Sequence, residues 1–283
     1  VNRLASQVVL MFMKITSIQS ELIGEIPFRN AGTGGRCSFV DRLPIHHGFV
    51  DILPAGVSAI IVTADLQGRE SLAISAGVPL RLLGESLPKR LAAEVLPCLD
   101  IPPGVIGVLL AGDFYTVPAL DKRGGTGDVS SVWAAFANEF DWVVGVAGNH
   151  DLFGQTAAPP DFSGAVHFLD GDRVVVDSLV IAGLSGIPGN PRRPWRRSED
   201  DFVMMVQDLM VDPPHVLLMH DGPDWPQHGY RGLSRVREVM ESSGRTLVIR
   251  GHKHWDHPLA ELSNGTQVLN VDARVVILTE QTK

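Results

Sequence analysis

Five times in this chain a short apolar run ends at a side chain able to bind a metal ion or move a proton. SAIIVTA runs into Asp65, VIGVLLAG into Asp113, and VVGVAG into Asn149, His150 and Asp151; HVLLM runs into His220, and RTLVIRG into His252, with His254 two residues on. Carboxylate, amide and imidazole donors without a thiolate suit borderline or hard divalent cations such as Mn²⁺, Fe²⁺ or Zn²⁺. One carboxylate able to bridge, with further donors on both sides, suggests a pair of ions. Two-metal hydrolases hold their ions about 3.5–4 Å apart and clamp the attacking and the leaving oxygen. His252 and His254 would face opposite sides of a regular strand, so a turn after Gly251 is needed to aim one at each ion. Taken singly, any of these groups could be a hydrogen-bonded core residue. Their order and shared placement argue for a site.

The elements that must position them follow from the pattern. Short β-branched apolar runs read as buried strands, and in open α/β sheets ligands bind at strand ends. Strands are expected at Ser58–Ala64, Val105–Ala111, Trp142–Ala147, His215–Met219 and Thr246–Arg250. Helices are expected at Leu87–Leu96, with Leu87, Leu91 and Val95 on one side, after Asp128 with Val129, Val132, Trp133, Phe136 and Phe140 at helical spacing, and over Leu233–Ser242. Ser198 and Asp201 resemble a capping box for a helix through Met210. Strands at Val174–Asp177 and Leu179–Gly183 imply a second sheet, and Gln267–Val271 with Arg274–Leu278 reads as a closing hairpin. Alternating units followed by further strands fit an α/β fold, a four-layer αββα sandwich of two mixed sheets flanked by helices. Residues 1–57, with strand signals at Lys14–Gln19 and Glu21–Pro27 and the loop AGTGGRCS, are read as an N-terminal extension or edge hairpin packed on a main domain spanning 58–283.

Composition bounds the function. The 283 residues are 45% apolar, enough for a sizeable core, and the net charge of −8 argues against a general nucleic-acid or membrane-surface binder. A small anionic substrate remains compatible, because a bound metal outweighs a negative surface locally. Cys37 and Cys98 fit no metal spacing, so a reduced, cytoplasmic protein is expected. Val8–Met13 is too short for a membrane span and is read as a tail or first strand, with Met11 or Met13 as candidate starts.

With these residues in view, the chain resembles the calcineurin-like metallophosphoesterase family, whose ordered blocks are D-x-H, G-D, G-N-H-D/E, H and G-H-x-H. Here they read Asp65-Leu66-Gln67, Gly112-Asp113, Gly148-Asn149-His150-Asp151, His220, and Gly251-His252-Lys253-His254, over about residues 58–258. The resemblance implies two divalent ions, one held by Asp65, Asp113 and His254, the other by Asp113, Asn149, His220 and His252. It implies hydrolysis of a small phosphorylated substrate, a phosphomonoester or phosphodiester, by metal-bound hydroxide. His150 would then stabilise the phosphoryl oxygens or protonate the leaving group, and Asp151 would orient His150 by hydrogen bond. Gln67 departs from the pattern, standing where the family usually has His. Either it ligates the first ion weakly or through water, or that site is empty and the protein inactive. A metal-binding module without turnover and a two-metal hydrolase of a non-phosphate bond are the competing readings.

The Asp-Arg-Gly that follows the second block in Ser/Thr protein phosphatases is replaced by Phe114-Tyr115-Thr116 after Asp113, which lowers that option. Arg69 beside the first block, and the run Arg192, Arg193, Arg196, Arg197, are candidates for phosphate contact; the run is read in preference as a solvated loop. His228 could approach substrate. His46 and His47 are read as solvated, and His167, His215 and His257 as structural. There is no G-x-x-x-x-G-K-[ST] loop and no G-x-S-x-G elbow.

Overall fold

The computed structural model describes residues 13–32, 38–70, 80–158, 162 and 164–281. Cys37, most of Val8–Met13 and the centre of the AGTGGRCS loop lie outside them. Among the described residues the strands form two main sheets. The first runs in the order Val166–Phe168, Trp142–Gly145, Val105–Leu110, Val57–Ala64, Arg274–Glu280, Phe39–Val50, Gly24–Asn30 and Arg69–Glu70, with Ile15–Ile18 also on Phe39–Val50. The second runs Asp172–Val176, Leu179–Leu184, Val216–Met219, Leu247–Arg250, Gln267–Asn270 and Leu259–Glu261. Both sheets mix parallel and antiparallel pairs.

Alternation along the strands builds four layers. Ala59, Ile61, Val108 and Leu110 face outward onto Leu83, Leu87, Val132, Trp133 and Phe136 of the helices α1 (Leu83–Arg90) and α2 (Ser130–Glu139). Ile60, Val62, Leu109 and Val144 face inward, where they meet Ile181, Leu218, Ile249 and Leu269 of the second sheet. On the far side, Leu217, Met219 and Val248 pack against Phe202, Val206 and Val236 of α3 (Glu199–Met210) and α4 (Ser234–Ser242). The αββα sandwich expected from the pattern is the architecture found.

Local signals hold in detail and fail in places. Ser198 caps α3 by accepting the Asp201 N–H at 3.1 Å. The expected helix over Leu87–Leu96 starts earlier, at Leu83, and beyond Arg90 loosens into a π turn over Leu91–Val95; Leu87, Leu91 and Val95 are all buried. The closing hairpin does not form. Gln267–Asn270 joins the second sheet parallel to Leu247–Arg250, whereas Arg274–Glu280 crosses to the first sheet, antiparallel to Val57–Ala64. Three residues can turn a hairpin, but here Asp272 and Ala273, the latter at φ 51°, carry the chain between layers. From the N-terminal part, Gly24–Asn30 and Phe39–Val50 pair antiparallel, and Phe39–Val50 also pairs with Arg274–Glu280. No helix among the described residues is long and apolar enough to cross a membrane.

Candidate metal centre

Each strand-end group sits where its strand stops and the backbone turns away. Asp65, Asp113 and His252 have left-handed backbones, with φ of 55°, 61° and 68°. Such conformations cost non-glycine residues on the order of 1–3 kcal/mol each and cluster at functional sites. The neighbouring glycines allow close approach. A Cβ on Gly148 would lie 2.0 Å from Asp113 Oδ1, and one on Gly251 would lie 2.2 Å from Asp65 Oδ2.

The two sheets meet at these ends. His220, fully buried, donates from Nδ1 to the Ala111 carbonyl of the first sheet at 2.8 Å. That bond occupies Nδ1 and turns Nε2, the atom that can ligate once it is deprotonated, toward the site. Nε2 lies 3.3 Å from Asp113 Oδ2. Asp113, His220 and His252 each present a donor atom, all within 4.8 Å of one another. His220 Nε2 and the Asn149 Oδ1, both buried, have no hydrogen-bond partner. Leaving a buried polar atom unpaired costs about 1–3 kcal/mol, a cost that a bound cation would offset.

Asp65, Gln67 and His254 stand outside this trio. Asp65 Oδ2 accepts the His252 N–H at 2.8 Å, and Gln67 Nε2 donates to Asp113 Oδ2 at 3.2 Å. His254 Nδ1 meets Asp272 Oδ2 at 3.0 Å. Asp65, Gln67, His254 and Asp272 together line a cavity of about 210 Å³, with Arg42 and Arg123 on its rim.

The electrostatics are those of a site built around positive charge. Burial, and then the neighbouring Asp272, push the Asp65 carboxyl well above the usual range. Burial works the same way on Asp113, yet His220 and then His150 hold it below. Burial disfavours a charged His220, but Asp113 and Asp65 overcome this and raise it to about 10. His252 is lowered to about 4 by burial and by His220. Asp151 is raised to about 6 by burial and Asp113.

Three expectations are corrected. Asp151 does not hold His150. Its Oδ2 accepts the N–H of Asp113 and of Gly148, and its Oδ1 that of Phe114, each at 2.8 Å. The carboxylate is spent on the backbone that carries Asp113, while His150 Nδ1 is buried without a partner. Arg69 does not reach toward a phosphate either. Its guanidinium is turned into the protein and donates to the carbonyls of Leu80, Thr116 and Val117. In the arginine run, Arg197 donates to Asp170 and Ser185, and Arg192 and Arg193 are exposed. His215 Nδ1 accepts the Val180 N–H at 2.8 Å, a structural role. His47 bonds Thr279 at 2.8 Å and, like His46, is half-buried rather than solvated. His228 stacks on Trp225 with ring centroids 3.9 Å apart.

Three contributors escaped the sequence reading. Trp195 donates from Nε1 to the Asp151 carbonyl at 2.7 Å and pins the GNHD turn from behind. Asp221, directly after His220, pairs with Arg250 at 3.3 Å and Lys253 at 3.0 Å. Asp272 follows the run Gln267–Val271 as Asp65 follows Ser58–Ala64, so the strand-end rule applies to it as well.

Comparison with known proteins places this geometry in context. The family described as calcineurin-like phosphoesterase matches residues 59–256. No curated protein matches the chain. A crystal structure of TT1561 of Thermus thermophilus is similar at a TM-score of 0.50 and 14% identity, covering 77% of this chain and 90% of that one. At that identity the likeness speaks for the fold.

Proposed function

The chain belongs to the calcineurin-like phosphoesterase family, and from that premise we propose that it is a metal-dependent phosphoric ester hydrolase working with two divalent cations. The observation that carries this reading is the convergence of Asp113, His220 and His252, with the Oδ1 of Asn149 in the adjoining GNHD turn buried and without a hydrogen-bond partner. The donor set fits a borderline cation such as Mn²⁺, Fe²⁺ or Zn²⁺. One ion would be held by Asp113, Asn149, His220 and His252, the other by Asp65, Gln67, Asp113 and His254, with Asp113 shared. Such a pair supplies the Lewis acidity that activates water and neutralises charge on a phosphoryl group.

The protein's own groups supply the rest. The Ala111 carbonyl keeps His220 in the tautomer that can ligate. Asp151 and Trp195 fix the backbone on which Asp113 and His150 ride. His150, whose backbone N–H donates to Asp113 Oδ1 at 2.9 Å and whose Nδ1 has no hydrogen-bond partner, would hand a proton from its imidazole to the departing oxygen of a phosphomonoester or phosphodiester.

The test is hydrolysis of nitrophenyl mono- and diesters by Mn²⁺-loaded protein, with His150→Ala as comparison. The proposal expects turnover by the wild type and a loss of 10²- to 10⁴-fold in the variant, with bound metal unchanged. A second reading, a metal-binding module without turnover, draws on one contact: Gln67 turns its amide nitrogen, which cannot ligate, toward Asp113. Metal-loaded wild type as inert as His150→Ala on every ester would favour it.

A further inference from the structure

Asp272 has no part in the ligand sets above, yet its surroundings are those of a ligand-site residue. It ends the Gln267–Val271 run, forms an isolated bridge with Ala64, and is only 5% exposed. Its carboxylate has two side-chain partners in the same cavity. One is His254, whose Nδ1 lies 3.0 Å from Oδ2; the other is the carboxyl of Asp65. Two buried carboxyl groups in contact repel unless a proton or a cation lies between them. His254 is 55% exposed on its side chain, so little besides this contact orients the ring, apart from Arg274, whose Nη2 is bonded to the Trp255 carbonyl and lies 3.2 Å from Nε2, where it would have to yield to an ion.

We propose that Asp272 belongs to the first ion's site, holding His254 by its Nδ1–H so that Nε2 is the donor atom, and bringing a second carboxylate beside Asp65 where Gln67 offers only an amide. The inference rests on the two-ion reading. A ligating imidazole that donates its other N–H to a carboxylate is fixed in tautomer and orientation and is more basic, and loss of such a partner costs 10- to 100-fold in metal affinity. A neutral amide is a weaker donor to a borderline ion than imidazole. An added negative charge in direct contact with Asp65 offsets that deficit electrostatically.

The experiment is Asp272→Asn, which keeps shape and removes charge, followed by elemental analysis after Mn²⁺ loading, calorimetric titration, and thermal unfolding without metal. The expected result is two ions on the wild type, and on the variant one site weakened about 10- to 100-fold with the other unchanged. The metal-free variant should melt only slightly lower than metal-free wild type, because the asparagine keeps an oxygen to accept from His254 and loses only the charge. Adding Gln67→His to the variant should recover part of the lost affinity. Two sites of wild-type affinity in Asp272→Asn would overturn the proposal, and so would a metal-free variant that melts well below wild type, which marks a structural role. A wild type that binds a single ion would sink the two-ion reading itself, an outcome distinguishable because it appears before any substitution.

Discussion

The backbone N–H of His252 donates to Asp65 Oδ2 at 2.8 Å, joining two strand-end groups that stand 187 residues apart in the chain. Both carry left-handed backbones, and Gly251 lies between the second of them and its strand. The two sheets are thus latched at the site by protein contacts alone, and a cation would bind to a frame already assembled.

That latch sets the first prediction. In Gly251→Ala the new methyl would sit 2.2 Å from Asp65 Oδ2, so the carboxylate or the His252 turn must move. Overpacking of this kind costs about 1–3 kcal/mol. Urea unfolding should register that loss, and titration should find the Asp65 ion weakened more than the ion at His220.

Asp151 should prove a structural residue with a catalytic consequence. Asp151→Asn keeps one acceptor oxygen but turns an NH₂ against N–H groups that now donate to a carboxylate. Hydrogen bonds to a charged group are worth about 1.5–3 kcal/mol, and a loss of about 2–3 kcal/mol in urea unfolding is expected. Activity should fall with it because Asp113 is carried on the same backbone. Unchanged stability with reduced activity would instead point to the direct action on His150 that the geometry does not display.

The proton on His220 makes metal binding depend on pH. Asp113 and Asp65, against burial, raise this imidazole from 6.5 to about 10 in the metal-free protein, and a ligating imidazole must be neutral. Binding therefore displaces a proton at neutral pH. Mn²⁺ affinity should fall by up to tenfold per unit as pH drops below about 10, with proton release visible in calorimetry across buffers of different ionisation enthalpy. The linked effect on metal-free stability has the opposite sense. A raised histidine contributes fully below its unfolded value and loses that contribution as pH rises through its folded one. Metal-free protein should accordingly lose melting temperature between pH 7 and 10.

Gln67→His tests the departure at the first block. Imidazole in place of the amide should tighten one ion and leave the other as it was, read by titration and elemental analysis. Equal affinities at both sites in the two proteins would show that this side chain does not touch the metal.

Much of this was legible in the linear chain because strands and ligands share one signature. An apolar run must stop where a charged group begins, and in this fold the stops face each other, so Asp65, Asp113, Asn149, His220 and His252 announce themselves together with the strands that carry them. What the run cannot reveal is where a side chain spends its hydrogen bonds. Asp151 sits beside His150 in sequence, but three backbone N–H groups capture its oxygens first. Arg69 looks free beside the first block, yet carbonyls of Leu80 and Thr116 take its guanidinium. The final pair of strands misleads for a related reason: a short connection is consistent with a hairpin, and only the competition between two half-finished sheets decides that Gln267–Asn270 and Arg274–Glu280 part company. Asp272, at that crossing, was hidden by the hairpin reading itself.

In the proposed site one aspartate, Asp113, would be shared by two cations. Anomalous diffraction from crystals of Mn²⁺-loaded protein tests it most directly. Two peaks are expected about 3.5–4 Å apart, both in bonding contact with the Asp113 carboxylate, one also with His220 and His252 and the other with Asp65 and His254. A single peak, or a pair of which neither touches Asp113, would contradict it.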